Sequence, residues 1–223
     1  MTELRNRIID LVWRGNDPFH GFPKNIYQVD TQGWGFQHPY LSEAIRGSSL
    51  LVVEVGVWKG ASTIAMASKM RDLGIDGAII CVDTWLGAAD HWTQNEWFEH
   101  LGWDNGWPNL HKKFMANIID AGLQEYVVPL PVDSINAAEV LKHYEVQADV
   151  IHIDAGHEYR SVISDLHAWW PILKDGGLYI GDDYYDNGVD WPGVQKAHDE
   201  FFKELSLFPF EHGSGKCRLR KTG

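Results

Sequence analysis

Apolar runs at residues 50–55, 78–82, 148–153 and 178–180 punctuate the middle of this chain, and each carries or runs into a carboxylate. The last two have one polar-leaning interior residue each, His152 and Tyr179, and end at Asp154 and at Asp182-Asp183. Short runs of this kind read as buried parallel strands whose polar groups begin at their carboxyl ends. The spacing predicts strands over residues 50–55, 78–83, 126–131, 148–154 and 177–182. Helices are predicted over 62–73, 109–122, 134–144, 160–173 and 192–205, the last with Pro192 at a favourable first position. An amphipathic helix over residues 1–15 carries Leu4, Ile8, Leu11 and Val12 on one face. Residues 17–40, with Pro18, Pro23 and Pro39, read as loop. Two strands, 207–212 and 217–221, flank Gly213-Ser214-Gly215 as a terminal hairpin.

Repeated strand–helix units imply an α/β fold: a doubly wound, Rossmann-like, mostly parallel sheet with helices on both faces, closed at one edge by the antiparallel hairpin. No repeat or linker divides it. Residues 1–49 form an N-terminal helix and covering segment, and residues 50–223 form the core, with an aromatic-rich insertion at 84–108. In such sheets ligands bind beyond the carboxyl ends of the strands, where strand order reverses. Glu54, Asp83, Asp133, Asp154, Asp182 and Asp183 all fall there, a pattern that solubility alone does not require.

Composition narrows the function. A formal net charge of -12 over 223 residues argues against nucleic acid, which needs a basic stripe. The dense basic run at Lys216–Lys221 alternates with Cys217 and Leu219, as in a half-exposed edge strand. No apolar run is long enough for a membrane span, and no signal-like segment opens the chain. Cys81 and Cys217 are the only cysteines, so neither a disulfide framework nor a cysteine-rich zinc site is expected, and a cytoplasmic address is the default.

Residues 54–62, E-V-G-V-W-K-G-A-S, turn the first strand into a helix. Gly56 lets backbone approach a ligand, Gly60 permits the turn and Ser62 caps the helix. Trp58 stands where a dinucleotide fingerprint has its second glycine, and Glu54 would face a phosphate unfavourably, so a nicotinamide cofactor is disfavoured. Asp83 is placed to accept from ribose hydroxyls, and Asp133 with Ser134 to reach an adenine. Taken singly, each is equally well a helix- or loop-starting residue; their joint placement favours a nucleoside. Asp154, Asp182 and Asp183 would lie on strand ends about 4.8 Å apart. They repel unless a cation joins them, and an oxygen-only set suits magnesium, leaving His157 as a base. The alternative makes Asp154 a helix cap, His157 a packing residue and the acid pair a solvated loop. Trp85, Trp92, Trp97, Trp103 and Trp107 of the insertion suit a flat or sugar-like substrate, or bury against the core or in the interface of a homo-oligomer.

On V-E-V-G-V-W-K-G-A-S-T, I-I-C-V-D-T-W, I-H-I-D-A-G-H-E-Y-R-S-V-I-S-D-L and G-G-L-Y-I-G-D-D-Y, which span residues 50–184, the chain resembles the class I S-adenosylmethionine-dependent methyltransferases. More narrowly it resembles the metal-dependent macrocin-type sugar O-methyltransferases and their cephalosporin-hydroxylase-like relatives. The resemblance implies magnesium-assisted methyl transfer to a hydroxyl of a small molecule such as a sugar, polyol or catechol, in natural-product biosynthesis. It assigns Glu54 and Gly56 to the methionine moiety, Asp83 to the ribose, and Asp133 with Ser134 to the adenine. Asp154, Asp182 and Asp183 become metal ligands, and His157 the general base. A metal-dependent hydroxylase or hydrolase using the same acids, and a cofactor-binding protein without turnover, are the rival readings. Members of that family often carry a longer N-terminal region that covers the substrate; with residues 1–49 before the first strand here, that enclosure is not carried over.

Overall fold

Burial alternates along the strands and sorts the core into two layers. In β1 (Ser49–Val55), Leu51, Val53 and Val55 join one apolar cluster and Leu50 and Val52 the other. The computed structural model describes residues 2–23 and 28–222. Before β1 come α1 (Glu3–Trp13) and α2 (Pro39–Ala44); after it come α3 (Ala61–Leu73), β2 (Asp76–Val82), α4 (Ala89–Thr93) and α5 (Asn95–Phe98). A two-stranded ribbon of β3 (Trp103–Asp104) and β4 (Trp107–Pro108) completes the insertion. There follow α6 (Leu110–Asp120), β5 (Val127–Leu130), α7 (Ser134–His143), β6 (Ala148–Ile153), α8 (Tyr159–Trp169), β7 (Leu173–Asp182), α9 (Pro192–Glu204), β8 (Glu211–Gly213) and β9 (Lys216–Arg220). Helices α1, α7, α8 and α9 cover one face of the sheet, and α2, α3 and α6 the other.

The seven strands run β5-β2-β1-β6-β7-β9-β8, with the first five parallel and β9 antiparallel to both neighbours. The expected doubly wound sheet with its terminal hairpin is therefore present. Three local expectations differ. Lys216 is not on an edge: β9 is inserted between β7 and β8, and Lys216 is 1% exposed. A short helix, α2, begins within the last two residues of the expected loop, because Pro39 sits in its first turn and His38 accepts from the Tyr40 N–H. Helix α8 stops at Trp169, and Pro171 turns the chain through a 3₁₀ segment into a longer β7. The loop expectation at residues 24–27 lies outside the described residues. Among the described residues no helix is long and apolar enough to cross a membrane.

One core group ties stability to pH. His198 is fully buried; its Nδ1 lies 2.9 Å from the Val194 carbonyl and its Nε2 2.8 Å from the Tyr179 hydroxyl. The carbonyl requires a donor, so Nδ1 carries the hydrogen and Nε2 accepts from Tyr179. Burial pushes the imidazole down from 6.5 to about 4. The unfolded chain then takes up a proton that the folded one refuses, so stability from this group is complete above pH 6.5 and is lost as pH falls toward 4. Between pH 7 and pH 5 the loss is about 2 kcal/mol. Urea unfolding at those two pH values should show a difference smaller by that amount in His198→Gln; an unchanged difference would remove His198 as its source.

Candidate active site

Strand order reverses between β1 and β6, where such sheets open a crevice at their carboxyl ends. Gly56 donates its N–H to the Val82 carbonyl at 2.9 Å, and Asp154 donates to the Val55 carbonyl at 2.8 Å. Gly56 has φ +82°, and a Cβ there would lie 1.8 Å from the Asp154 carbonyl oxygen. Only glycine permits this approach. Beyond it lies a cavity of about 540 Å³, within the range of small-molecule and cofactor sites. Gly56, Ser62, Asp83, Asp133, Ser134, Asp154, His157, Asp182 and Asp183 all line it.

Glu54 does not. It is fully buried on the α3 side of the sheet, where Ser62 and Thr63 donate to its carboxylate and His152 Nδ1 lies 3.2 Å away. Glu54 thus anchors the start of α3 beneath the cavity instead of meeting a ligand. Ser62 is not the helix cap either: Gly60 holds that position with φ +86°, and the Ser62 hydroxyl is committed to Glu54.

Asp83 lines the cavity but also clasps its floor. One carboxylate oxygen accepts from the Val57 and Trp58 N–H groups at 2.8 and 2.9 Å, the other from the Trp85 N–H at 2.6 Å. Burial raises its pKa, against the pull of those three donors. The clasp fixes the turn after β1, in which Trp58 adopts φ +53°. Asp133 caps α7 by accepting from the Asn136 N–H at 3.0 Å. The Ser134 hydroxyl points away from its expected use: it donates to Asp165 and accepts from Trp169 Nε1 at 2.8 Å. Asp165, pushed up to about 6 by burial, thereby takes the hydroxyl into the core.

On the opposite wall, Asp182 and Asp183 part company. Asp182 is extended at the end of β7, whereas Asp183 adopts φ +54°. Asp183 turns toward His157, with Oδ2 at 3.0 Å from Nε2, and Asp154, His157 and Asp183 bring ligand atoms within 4.8 Å of one another. Asp182 turns the other way, to its cross-strand partner Lys216 and to His152, whose Nε2 is 3.6 Å distant. It forms a second set within the same limit, with His152 and Asp154. The expected trio of Asp154, Asp182 and Asp183 is therefore split into two groups that share Asp154. Burial would raise the Asp182 carboxyl, but the nearby His152 imidazole and the Lys216 ammonium hold it below the usual range. Asp154 goes well above that range, through burial first and the neighbouring Asp182 charge second.

His157 has a second carboxylate that its sequence position does not reveal. Asp90, on α4 of the insertion, lies 3.5 Å from Nδ1, and the Trp191 ring lies 4.0 Å away between centroids, tilted by 33°. Burial lowers the imidazole pKa, yet Asp183 and Asp90 together leave it raised. The covering segment also contributes: Gln32 through Phe36 lie on the cavity wall. Lys59 holds that segment down through Asp30 at 2.5 Å and Gln32 at 2.9 Å. The tryptophans of the insertion fall in different settings. Trp85 is buried and donates to the Trp58 carbonyl at 2.8 Å, Trp97 faces the cavity stacked on Trp34, and Trp107 is 66% exposed.

Residues 53–184 match a family described as a methyltransferase domain. The chain belongs to that methyltransferase family. Its sheet order and switch-point cavity give it the fold of the class I S-adenosylmethionine-dependent enzymes. It is 23% identical over 190 residues to the uncharacterized protein R132 of Acanthamoeba polyphaga mimivirus, covering 82% of this chain and 74% of that one. Among solved structures, the O-methyltransferase NovP superposes with a TM-score of 0.61 at 20% identity, over 82% of this methyltransferase and 78% of NovP. CalS11, a TDP-rhamnose 3'-O-methyltransferase of calicheamicin biosynthesis, gives 0.53 at 17%, over 81% and 75%.

Proposed function

We propose that this methyltransferase moves a methyl group from S-adenosylmethionine to a hydroxyl oxygen of a small molecule of sugar, polyol or catechol type. The observation that carries the reading is His157, held between Asp90 and Asp183 on the same cavity that Gly56 and Asp83 line from the other side. A hydroxyl is a weak nucleophile until its proton has somewhere to go, and an imidazole fixed by carboxylates provides the place. The names of NovP and CalS11 agree with oxygen as the acceptor, and that of CalS11 with a sugar.

S-adenosylmethionine supplies an electrophilic methyl group on a sulfonium. The chain's work is then alignment and proton removal. Asp83 fixes the turn after β1, the covering segment and Trp97 line the cavity, and the His157 imidazole would take the hydroxyl proton as the oxygen–methyl bond forms. His157 would then return its proton to solvent.

The donor set of Asp154 and Asp183, rich in oxygen and beside a basic imidazole, fits a hard divalent cation such as magnesium. Such an ion would orient two vicinal acceptor oxygens and lower the cost of an alkoxide. Calorimetry with S-adenosylhomocysteine tests the donor and separates methyl transfer from hydroxylase or hydrolase chemistry on the same acids. Mass spectrometry of a hydroxylated acceptor panel, seeking the gain of one CH₂, tests the acceptor. Asp83→Ala should weaken S-adenosylhomocysteine by roughly ten- to a hundred-fold, since a hydrogen bond to a charged group contributes about 1.5–3 kcal/mol. Undiminished affinity in a folded variant takes Asp83 out of the cofactor site.

A further inference from the structure

We propose that Lys216 is a built-in counter-ion that withdraws Asp182 from metal binding, leaving Asp154 and Asp183 to hold the divalent cation and weakening its hold. The inference rests on the reading of a cation at these acids. Lys216 opens β9 directly across from Asp182, and its ammonium is ion-paired with Oδ2 of that residue. The lysine is 1% exposed, so the pair is shielded from solvent and salt. Gly35 keeps room for it: a Cβ at that φ +63° position would come within 3.2 Å of Nζ and 4.0 Å of Asp182 Oδ1. The covering segment thus packs over the ammonium.

A second observation marks the same place. His152 Nε2 is buried without a hydrogen-bond partner, 3.6 Å from the oxygen that Lys216 holds. Its other nitrogen is spent on Glu54. The set of His152, Asp154 and Asp182 therefore has the spacing of a ligand group, with a protein cation already seated on one of its carboxylates.

Charge counting gives opposite expectations for two substitutions. Removing the ammonium alone frees a third carboxylate beside Asp154 and adds one negative charge to the site. Removing ammonium and carboxylate together leaves the net charge as it was and subtracts no ligand, if Asp182 is not one. Replacing both members of a buried pair by neutral groups is also much gentler on the fold than breaking it.

Manganese, as the metal alone, should be titrated by calorimetry into the full chain, with S-adenosylhomocysteine affinity and melting temperature as controls for folding. Lys216→Met should bind manganese at least about ten-fold more tightly than wild type, or 1.4 kcal/mol. The double variant Lys216→Met/Asp182→Asn should stay within about three-fold of wild type. Lys216→Arg, which keeps the charge, should not gain affinity. If the single variant gains nothing, Lys216 does not oppose the metal; if the double variant loses ten-fold, Asp182 is a ligand after all. Either result overturns the proposal. Should the single variant fail to fold, the double variant decides alone. Absence of manganese binding in every variant, with S-adenosylhomocysteine still bound, overturns the cation reading and this inference together while leaving methyl transfer standing.

Discussion

His157→Ala is expected to fold, to bind S-adenosylhomocysteine as wild type does, and to lose roughly 10²–10⁴-fold in kcat. That range corresponds to about 3–5 kcal/mol of barrier, the usual contribution of a positioned base. Two neighbouring acids are poorly suited to take its role. Asp154 is held well above the carboxylate range by burial and by Asp182, and Asp182 is bound by Lys216. The competing view makes His157 a packing residue on Trp191, in which case truncation lowers the melting temperature and leaves turnover of the folded fraction intact. A pH profile separates the two further. The base acts in its neutral form, and Asp183 and Asp90 outweigh burial to raise its pKa above 6.5. The acidic limb of kcat/KM should therefore lie above the ordinary imidazole value, with activity falling as pH drops through it. Wild-type turnover in the alanine variant would falsify the assignment.

The parts of the fold that were legible in the sequence are those set by local periodicity. Leu50–Val55, Ala78–Val82 and Ala148–Ile153 could only be buried strands, and the helices between them left parallel pairing as the economical arrangement. The convergence of Gly56, Asp83, Asp133, Asp154 and His157 on one cavity follows from that topology, since all stand at the carboxyl ends of parallel strands. What could not be read depended on side-chain direction or on distant pairing. Period two puts Glu54 on the α3 face together with Leu50 and Val52, and so into the core beneath the cavity. Asp182 and Asp183 look equivalent in sequence, but one left-handed residue sends them to different partners. Lys216 looked like an edge residue because alternation cannot tell an edge strand from one with a further strand beside it. Asp90 reaches His157 from 67 residues away, through a helix whose position is set by packing of the insertion. The interior Glu54 and His152, each in an otherwise apolar strand, were the visible signals that charges lay beneath the site.

Gly56→Ala should be the most damaging single methyl group in this chain. Its Cβ would stand 1.8 Å from the Asp154 carbonyl oxygen, 2.4 Å from the carbonyl carbon and 2.7 Å from Ala155 Cα. All three are backbone atoms, so no rotamer can make way and β1 must separate from β6. Separation threatens the Asp154 N–H bond to Val55 and the Gly56 N–H bond to Val82, which together close the switch point. The φ of +82° adds about 1 kcal/mol for a residue with a Cβ, and overpacking a rigid contact about 1–3 kcal/mol. A total of about 2–4 kcal/mol corresponds to a fall of roughly 5–15 °C in Tm for a domain of this size. S-adenosylhomocysteine affinity should fall at least about ten-fold, because the displaced atoms form the floor of the cofactor cavity. Gly74→Ala provides the control: its φ is +64°, but an added Cβ meets nothing within 4 Å. That variant should lose only about 1 kcal/mol, the conformational share, and bind the cofactor product normally. If Gly56→Ala matches Gly74→Ala in both measurements, β1 and β6 have slack to spare and the close approach at Asp154 is not what shapes the site.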